Sequence, residues 1–139
     1  MSNISFVSEE IKFNFPDKLK IKQWIKNTVA EEGSRVGEIS IVFCSDEYLL
    51  NVNNQYLQHD YYTDIITFDY SEDGFVSGDL MISIDRVKEN ATIQNTKFED
   101  ELHRVIIHGV LHLLGYKDKT AKEEKQMRGK EDSYLLTRP

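Results

Sequence analysis

Three runs rich in β-branched residues lie between residues 38 and 84: EISIVFC (Glu38 to Cys44), DIITFDY (Asp64 to Tyr70) and FVSGDLMISI (Phe75 to Ile84). Such runs favour the pleated, half-buried surface of a strand. What separates them limits how they can be arranged. Between the first two, Ser45 and Asp46 open a stretch with Leu49, Leu50, Val52 and Tyr56 at helical spacing, so a helical crossover and a parallel, right-handed connection are expected. Between the last two stands only Ser71-Glu-Asp-Gly74, enough for a turn, which makes them an antiparallel hairpin. A sheet with both connections is mixed, and the hairpin strands are expected as the third and fourth of four.

Helical spacing accounts for most of the remainder. Asp17, following Pro16, is placed to cap a helix that carries Leu19, Trp24, Ile25 and Val29 to about Glu32 and stops at Gly33. A helix is expected from Asp85 to about Thr96, and another from Phe98 to Leu114 with Leu102, Val105, Ile106, Val110 and Leu113 on its apolar side. Thr96 with Glu99 reads as a capping box for that second helix. A last helix runs from about Ala121 to Leu136. No repeat or flexible linker interrupts residues 1–139, so one domain is expected. The expected fold class is α+β: about five helices packed on a small mixed four-stranded sheet.

With 40% hydrophobic and 29% charged residues, the chain can bury a core without disulfides. Its lone Cys44 closes an apolar run and reads as a small buried hydrophobe. No 18 apolar residues stand together, and MSNISFVSEE lacks a basic region followed by an apolar one; a cytoplasmic protein without membrane association is expected. The net charge of −7 excludes affinity for nucleic acid through bulk charge, and DNA is not an expected partner. The charge is uneven, however. Lys117 to Lys130 holds six Lys/Arg against three Asp/Glu, a local +3 that leaves −10 for the rest of the chain.

That positive stretch adjoins the segment HGVLHLLGYKD, His108 to Asp118. On a helix, His108 and His112 fall within about 40° of one another, so both imidazoles can face one ion. Gly115 stands where the helix should stop, and a left-handed glycine there lets the chain turn back with a third ligand. Asp118 follows His112 by six residues, the spacing of metzincin-type zinc sites with a carboxylate in place of the last histidine. Two imidazoles and a carboxylate suit zinc best, one ion per chain, although iron(II) accepts the same set. Gly109 occupies the slot where a zinc protease carries its glutamate base. His103 lies roughly 140° from His108 around the helix and reads as structural, as does His59 in its loop.

Here the sequence resembles the YbeY endoribonucleases, the bacterial ribosomal-RNA maturation factors. Their pattern H-G-x-L-H-L-x-G-Y-D-H stands as HGVLHLLGYKD, T-D-V-L-S-F as Thr63-Asp64-Ile-Ile-Thr-Phe68, and G-D-I-x-I-S as Gly78-Asp79-Leu-Met-Ile-Ser83. The resemblance implies a zinc-dependent endoribonuclease specific for single-stranded RNA, acting on the small ribosomal subunit in rRNA 3′-end maturation and ribosome quality control. It implies His108 and His112 as zinc ligands, with Asp118 in the slot of the family's third histidine. Asp in place of His leaves the ligated ion one charge less positive. At about 4 Å and an effective dielectric of about 20 that is worth up to about 4 kcal/mol in holding phosphate. A second departure is Leu57, which follows Tyr56 where the family has an arginine. Lys117, Lys119 and Arg86 are candidates to supply the missing cation. Asp64 and Asp79 read as residues that cap backbone groups at strand or turn ends.

Without a glutamate after His108, the simplest hydrolytic scheme acidifies a water on the ion; attack by the RNA 2′-hydroxyl is the alternative. A metallopeptidase lacks its base here, a loss of roughly 10²–10⁴ in rate. A ribosome-associated module with a structural zinc is the non-enzymatic alternative. A closed structural site has four protein ligands, and this motif offers three.

Overall fold

The computed structural model describes residues 3–139. The elements in chain order are β1 (Asn3–Ser8), α1 (Lys18–Glu31), β2 (Arg35–Cys44), α2 (Asp46–Leu57), β3 (Ile65–Asp69), β4 (Phe75–Ser83), α3 (Ile84–Gln94), α4 (Phe98–Leu113) and α5 (Ala121–Leu135). The three β-branched runs are β2, β3 and β4. The fourth strand is NISFVS, too short and polar for its alternation to stand out; burial of Ile4 in the core gives it a place in the sheet.

The strand order is β1-β2-β4-β3. β1 pairs parallel with β2, β2 parallel with β4, and β3 antiparallel with β4. The sheet is mixed, but the expected parallel relation of β2 and β3 is wrong. The short turn ties β3 to β4, so only one of them can lie beside β2. β4 is the longer strand and buries Val76, Leu80 and Ile82, and it takes the central position. β3 is displaced to the open edge, where Thr67 and Asp69 meet solvent at little cost.

Alternation along the strands divides the interior. Ile39, Ile41, Phe43, Leu80 and Ile82 join α1 and α4 in the main core, while Cys44, Ile66 and Leu49 of α2 form a small second one with Phe68 and Met81 around them. Burial in that second core pushes the Cys44 thiol up to about 12, so it acts as a hydrophobe. α4 is the central helix. Leu102, Ile106, Ile107, Val110 and Leu111 are almost wholly buried, each contributing about 1.5–3 kcal/mol.

Two glycines let α4 lie close against the sheet. A Cβ on Gly109 would come within 2.8 Å of Ile65 and 2.9 Å of Leu80, and one on Gly78 within 2.3 Å of the Phe68 carbonyl and 2.6 Å of Leu113.

Two expected caps differ. Asp17 precedes α1 with a left-handed backbone, φ 59°, and makes no side-chain capping bond. Thr96 closes α3, its N–H donating to the Ala91 carbonyl at 2.9 Å, and Lys97 rather than Thr96 stands at the N-cap of α4, with no side-chain capping bond. That helix begins after Lys97 with Glu99, Asp100 and Glu101 in its first turn, where acidic groups favour the N-terminal end of the helix dipole.

Candidate metal centre

α4 ends in a Schellman motif: Tyr116 N–H donates to Leu111 O and Gly115 N–H to His112 O, each at 3.0 Å, with Gly115 at φ 105°. Four residues later α5 starts in a capping box. The Thr120 hydroxyl accepts from Glu123 N–H at 3.1 Å, and the Glu123 carboxylate from Thr120 N–H at 3.0 Å. Between these two fixed points the chain doubles back and carries Asp118 to the histidines.

The three side chains converge. His108 Nε2 lies 3.1 Å from His112 Nε2 and 3.2 Å from Asp118 Oδ2, and His112 Nε2 is 3.3 Å from that same oxygen. Donors about 2.0–2.2 Å from a common tetrahedral ion would stand roughly 3.3–3.5 Å apart, so this triangle fits a zinc-sized cation.

The far side of each imidazole fixes its tautomer. His112 Nδ1 donates to the Tyr116 carbonyl at 3.0 Å, and His108 Nδ1 to Glu131 Oε2 at 2.6 Å. Both acceptors require a proton on Nδ1, which leaves each Nε2 lone pair for the shared point. Glu131 is buried on α5 and also accepts from Arg104 at 2.7 Å. Burial would raise its carboxyl, but the bonds from His108 and Arg104 outweigh that and hold it below the usual range. Burial would lower His108, yet the Glu131 bond and charge, with Asp118 and Asp64, hold its imidazolium above the ordinary value. The pocket around His108 is therefore built for positive charge.

Two cavities meet at this cluster. One, about 260 Å³, runs between α3, α4 and α5 and is lined by Asp64, Glu101, Arg104, His108, Asp118, Arg128 and Glu131 among others. The other, about 460 Å³, lies along the β3 edge and is lined by Leu57, His59, Tyr61, Asp64, His108, His112 and Asp118 among others. Asp64, His108 and Asp118 border both. Burial is the main cause that pushes the Asp64 carboxyl up, while His108 and the backbone N–H groups of Asp64 and Ile65 pull it down. Asp64 thus faces the site from both cavities. Asp79 does not line these cavities; it accepts from Tyr70 at 3.3 Å.

The expected cations are elsewhere. Arg86 is paired with Asp46 at 3.0 Å and Glu89 at 3.1 Å, Lys117 borders a cavity on the far side of the Gly115 turn, and Lys119 lines neither cavity of the cluster. The guanidinium groups that line the smaller cavity are Arg104, tied to Glu131 and to Asp132 at 2.6 Å, and Arg128, which is exposed. Arg104 had a sequence signal: with Glu101, His108 and His112 it forms a polar stripe at three- and four-residue spacing on an otherwise apolar helix. Glu131 and Arg128 had none, being 23 and 20 positions beyond His108 on another helix. His103 is structural as expected, buried against Phe15 and Trp24 and within 2.9 Å of Arg138. His59 lines the larger of the two cavities.

Gly109 also answers the question of a protease base. Its missing side chain would point at Ile65 and Leu80 of the sheet, so a glutamate there could not reach the cluster.

The sequence profile described as Endoribonuclease YbeY matches residues 3–138. A protein of Cytophaga hutchinsonii named Endoribonuclease YbeY is 51% identical over 136 residues, covering 97% of this chain and 95% of its own. One of the same name from Bacteroides thetaiotaomicron is 50% identical over 135 residues, covering 97% and 98%. The solution structure of TM1509 from Thermotoga maritima superposes with a TM-score of 0.68 at 31% identity, covering 96% of this chain and 87% of that one. A match that spans the whole described sheet and every helix, at this identity, shows that the chain belongs to the YbeY endoribonuclease family.

Proposed function

We propose that this chain is a zinc-dependent endoribonuclease that cuts single-stranded RNA in the cytoplasm, acting on the small ribosomal subunit in 3′-end maturation and quality control of its RNA. The observation that carries the metal-dependent part is the triangle of His108, His112 and Asp118, with both Nδ1 atoms held by acceptors on their far side. When bound there, zinc would supply a Lewis acid that polarises a phosphoryl oxygen and acidifies a water.

The chain's own residues divide the remaining work. Asp64 borders both cavities, and its carboxyl is raised by burial. It takes the proton of the attacking oxygen as the bond to phosphorus forms, and that proton passes to the leaving 5′ oxygen as the phosphodiester breaks. Arg128 meets the phosphate charge, because Arg104 is already neutralised by Glu131 and Asp132 and Leu57 offers none. Glu131 and the Tyr116 carbonyl keep the imidazoles oriented.

The test is cleavage of a single-stranded ribosomal-RNA fragment by wild type beside His112→Ala, with zinc content measured on both. Metal-dependent cleavage lost in the variant supports the proposal. Intact RNA from zinc-loaded wild type that still joins small subunits would leave a structural module instead. Asp118→His and Leu57→Arg are expected to raise activity, the first by restoring charge at the ion and the second by adding a cation to the larger cavity.

A further inference from the structure

The loop after α2 is held more firmly than its exposure suggests. Gln58 ends the helix at φ 55°, His59 N–H donates to Asn53 O at 3.1 Å, and the buried Asn53 amide donates to the Tyr61 carbonyl at 2.9 Å. This backbone presents two rings together. His59 and Tyr61 stack with centroids 5.2 Å apart and planes 22° from parallel, and the Tyr61 hydroxyl sits 3.0 Å from His59 Nδ1. Both rings line the cavity that reaches His108, His112 and Asp118, yet Tyr61 is 55% exposed. The core does not need it.

The occupant that fits is flat, aromatic and uncharged. Leu57, Ile65 and Ile66 give this cavity its apolar lining, Asp64, Asp69 and Asp118 are its acidic groups, no Lys or Arg lines it, and the whole chain carries −7. Attraction of a phosphate backbone is therefore weak on this side, while an unpaired base brings a π-face that any aromatic platform accepts. Resting on the endoribonuclease reading above, we infer that the His59–Tyr61 pair is a stacking platform for an RNA base flanking the scissile phosphate. It selects single strands because bases in a duplex are already stacked on each other. The rings are fixed before binding, so little ordering cost falls on the complex.

The test uses short fluorescein-labelled single-stranded RNA, and the same RNA with an abasic site walked along it. Cleavage kinetics are measured on the purified protein and binding by anisotropy in EDTA. Tyr61→Ala is expected to raise KM roughly tenfold with kcat within about twofold. Tyr61→Phe keeps the ring and loses only the hydroxyl's bond to His59, so it is expected to reverse most of that rise in KM. One abasic position should cost the wild type the same factor and cost Tyr61→Ala nothing. An unchanged KM in Tyr61→Ala, or an abasic penalty equal in both proteins, overturns the platform while leaving the nuclease reading standing. If RNA is bound but not cut, and Tyr61→Ala weakens that binding, the platform stands and the catalytic reading fails. A wild type that neither binds nor cuts RNA overturns both.

Discussion

Glu131→Gln isolates the group that reaches the metal cluster from another helix. The Glu131 side chain is 6% exposed and receives two short bonds, from His108 Nδ1 at 2.6 Å and Arg104 at 2.7 Å. Glutamine has nearly the same volume and can still accept from one partner, so packing is conserved while the charge is lost. Each charge-assisted bond is worth about 1.5–3 kcal/mol and a neutral one about 0.5–1.5. Arg104 keeps Asp132 at 2.6 Å, which puts the loss for the metal-free fold near the low end, about 1–2 kcal/mol. On the metal side, weakening the partner of a ligating histidine typically costs 10–100-fold in affinity, or about 1.4–2.7 kcal/mol. Competition of zinc against a chromophoric chelator reads the second quantity, and urea unfolding of the stripped protein the first. A variant less stable in urea but within twofold of wild type in zinc affinity would refute the orienting role and leave Glu131 as an interhelical tie alone.

Zinc affinity should fall as the pH is lowered, because ligation needs the unprotonated Nε2 of His108. Its imidazolium is held above 6.5, so chelator competition should show the decline, approaching tenfold per unit, beginning above pH 6.5. Gly78→Ala should destabilise by about 1–3 kcal/mol in urea, since the new methyl meets the Phe68 carbonyl at 2.3 Å, a backbone atom of the paired strand that cannot move aside. Gly129→Ala should do the reverse, stabilising by about 1 kcal/mol, because its Cβ enters open space in the interior of α5. Binding of single-stranded RNA should depend weakly on salt, and Arg128→Gln should flatten the log–log slope by about 0.7, one phosphate's worth.

The ligands could be read because their spacing is local: the helix itself brings His108 beside His112, and a glycine turn returns Asp118. The hairpin was legible for the same reason, with only Ser71 to Gly74 between its strands. What hid was set by packing across long separations. Which strand of the hairpin lies beside β2 depends on which buries more, and Glu131 meets His108 only once α5 folds across α4. His59 hid for another reason. Loop residues have no periodicity to judge them by, so its place in the cavity emerges only when Asn53 anchors the Tyr61 carbonyl.

The order in which the chain is made gives the Glu131 contact a further meaning. The chain is made from the amino terminus at about 5–20 residues per second, and α5 is the last helix to be made. Both histidines are therefore in the chain before Asp118 and Glu131 are added. Until α5 docks, His108 lacks the Glu131 carboxylate that fixes its tautomer, while His112 already has the Tyr116 carbonyl. Docking of the last helix is thus the step that completes the hydrogen bonding around the histidine pair.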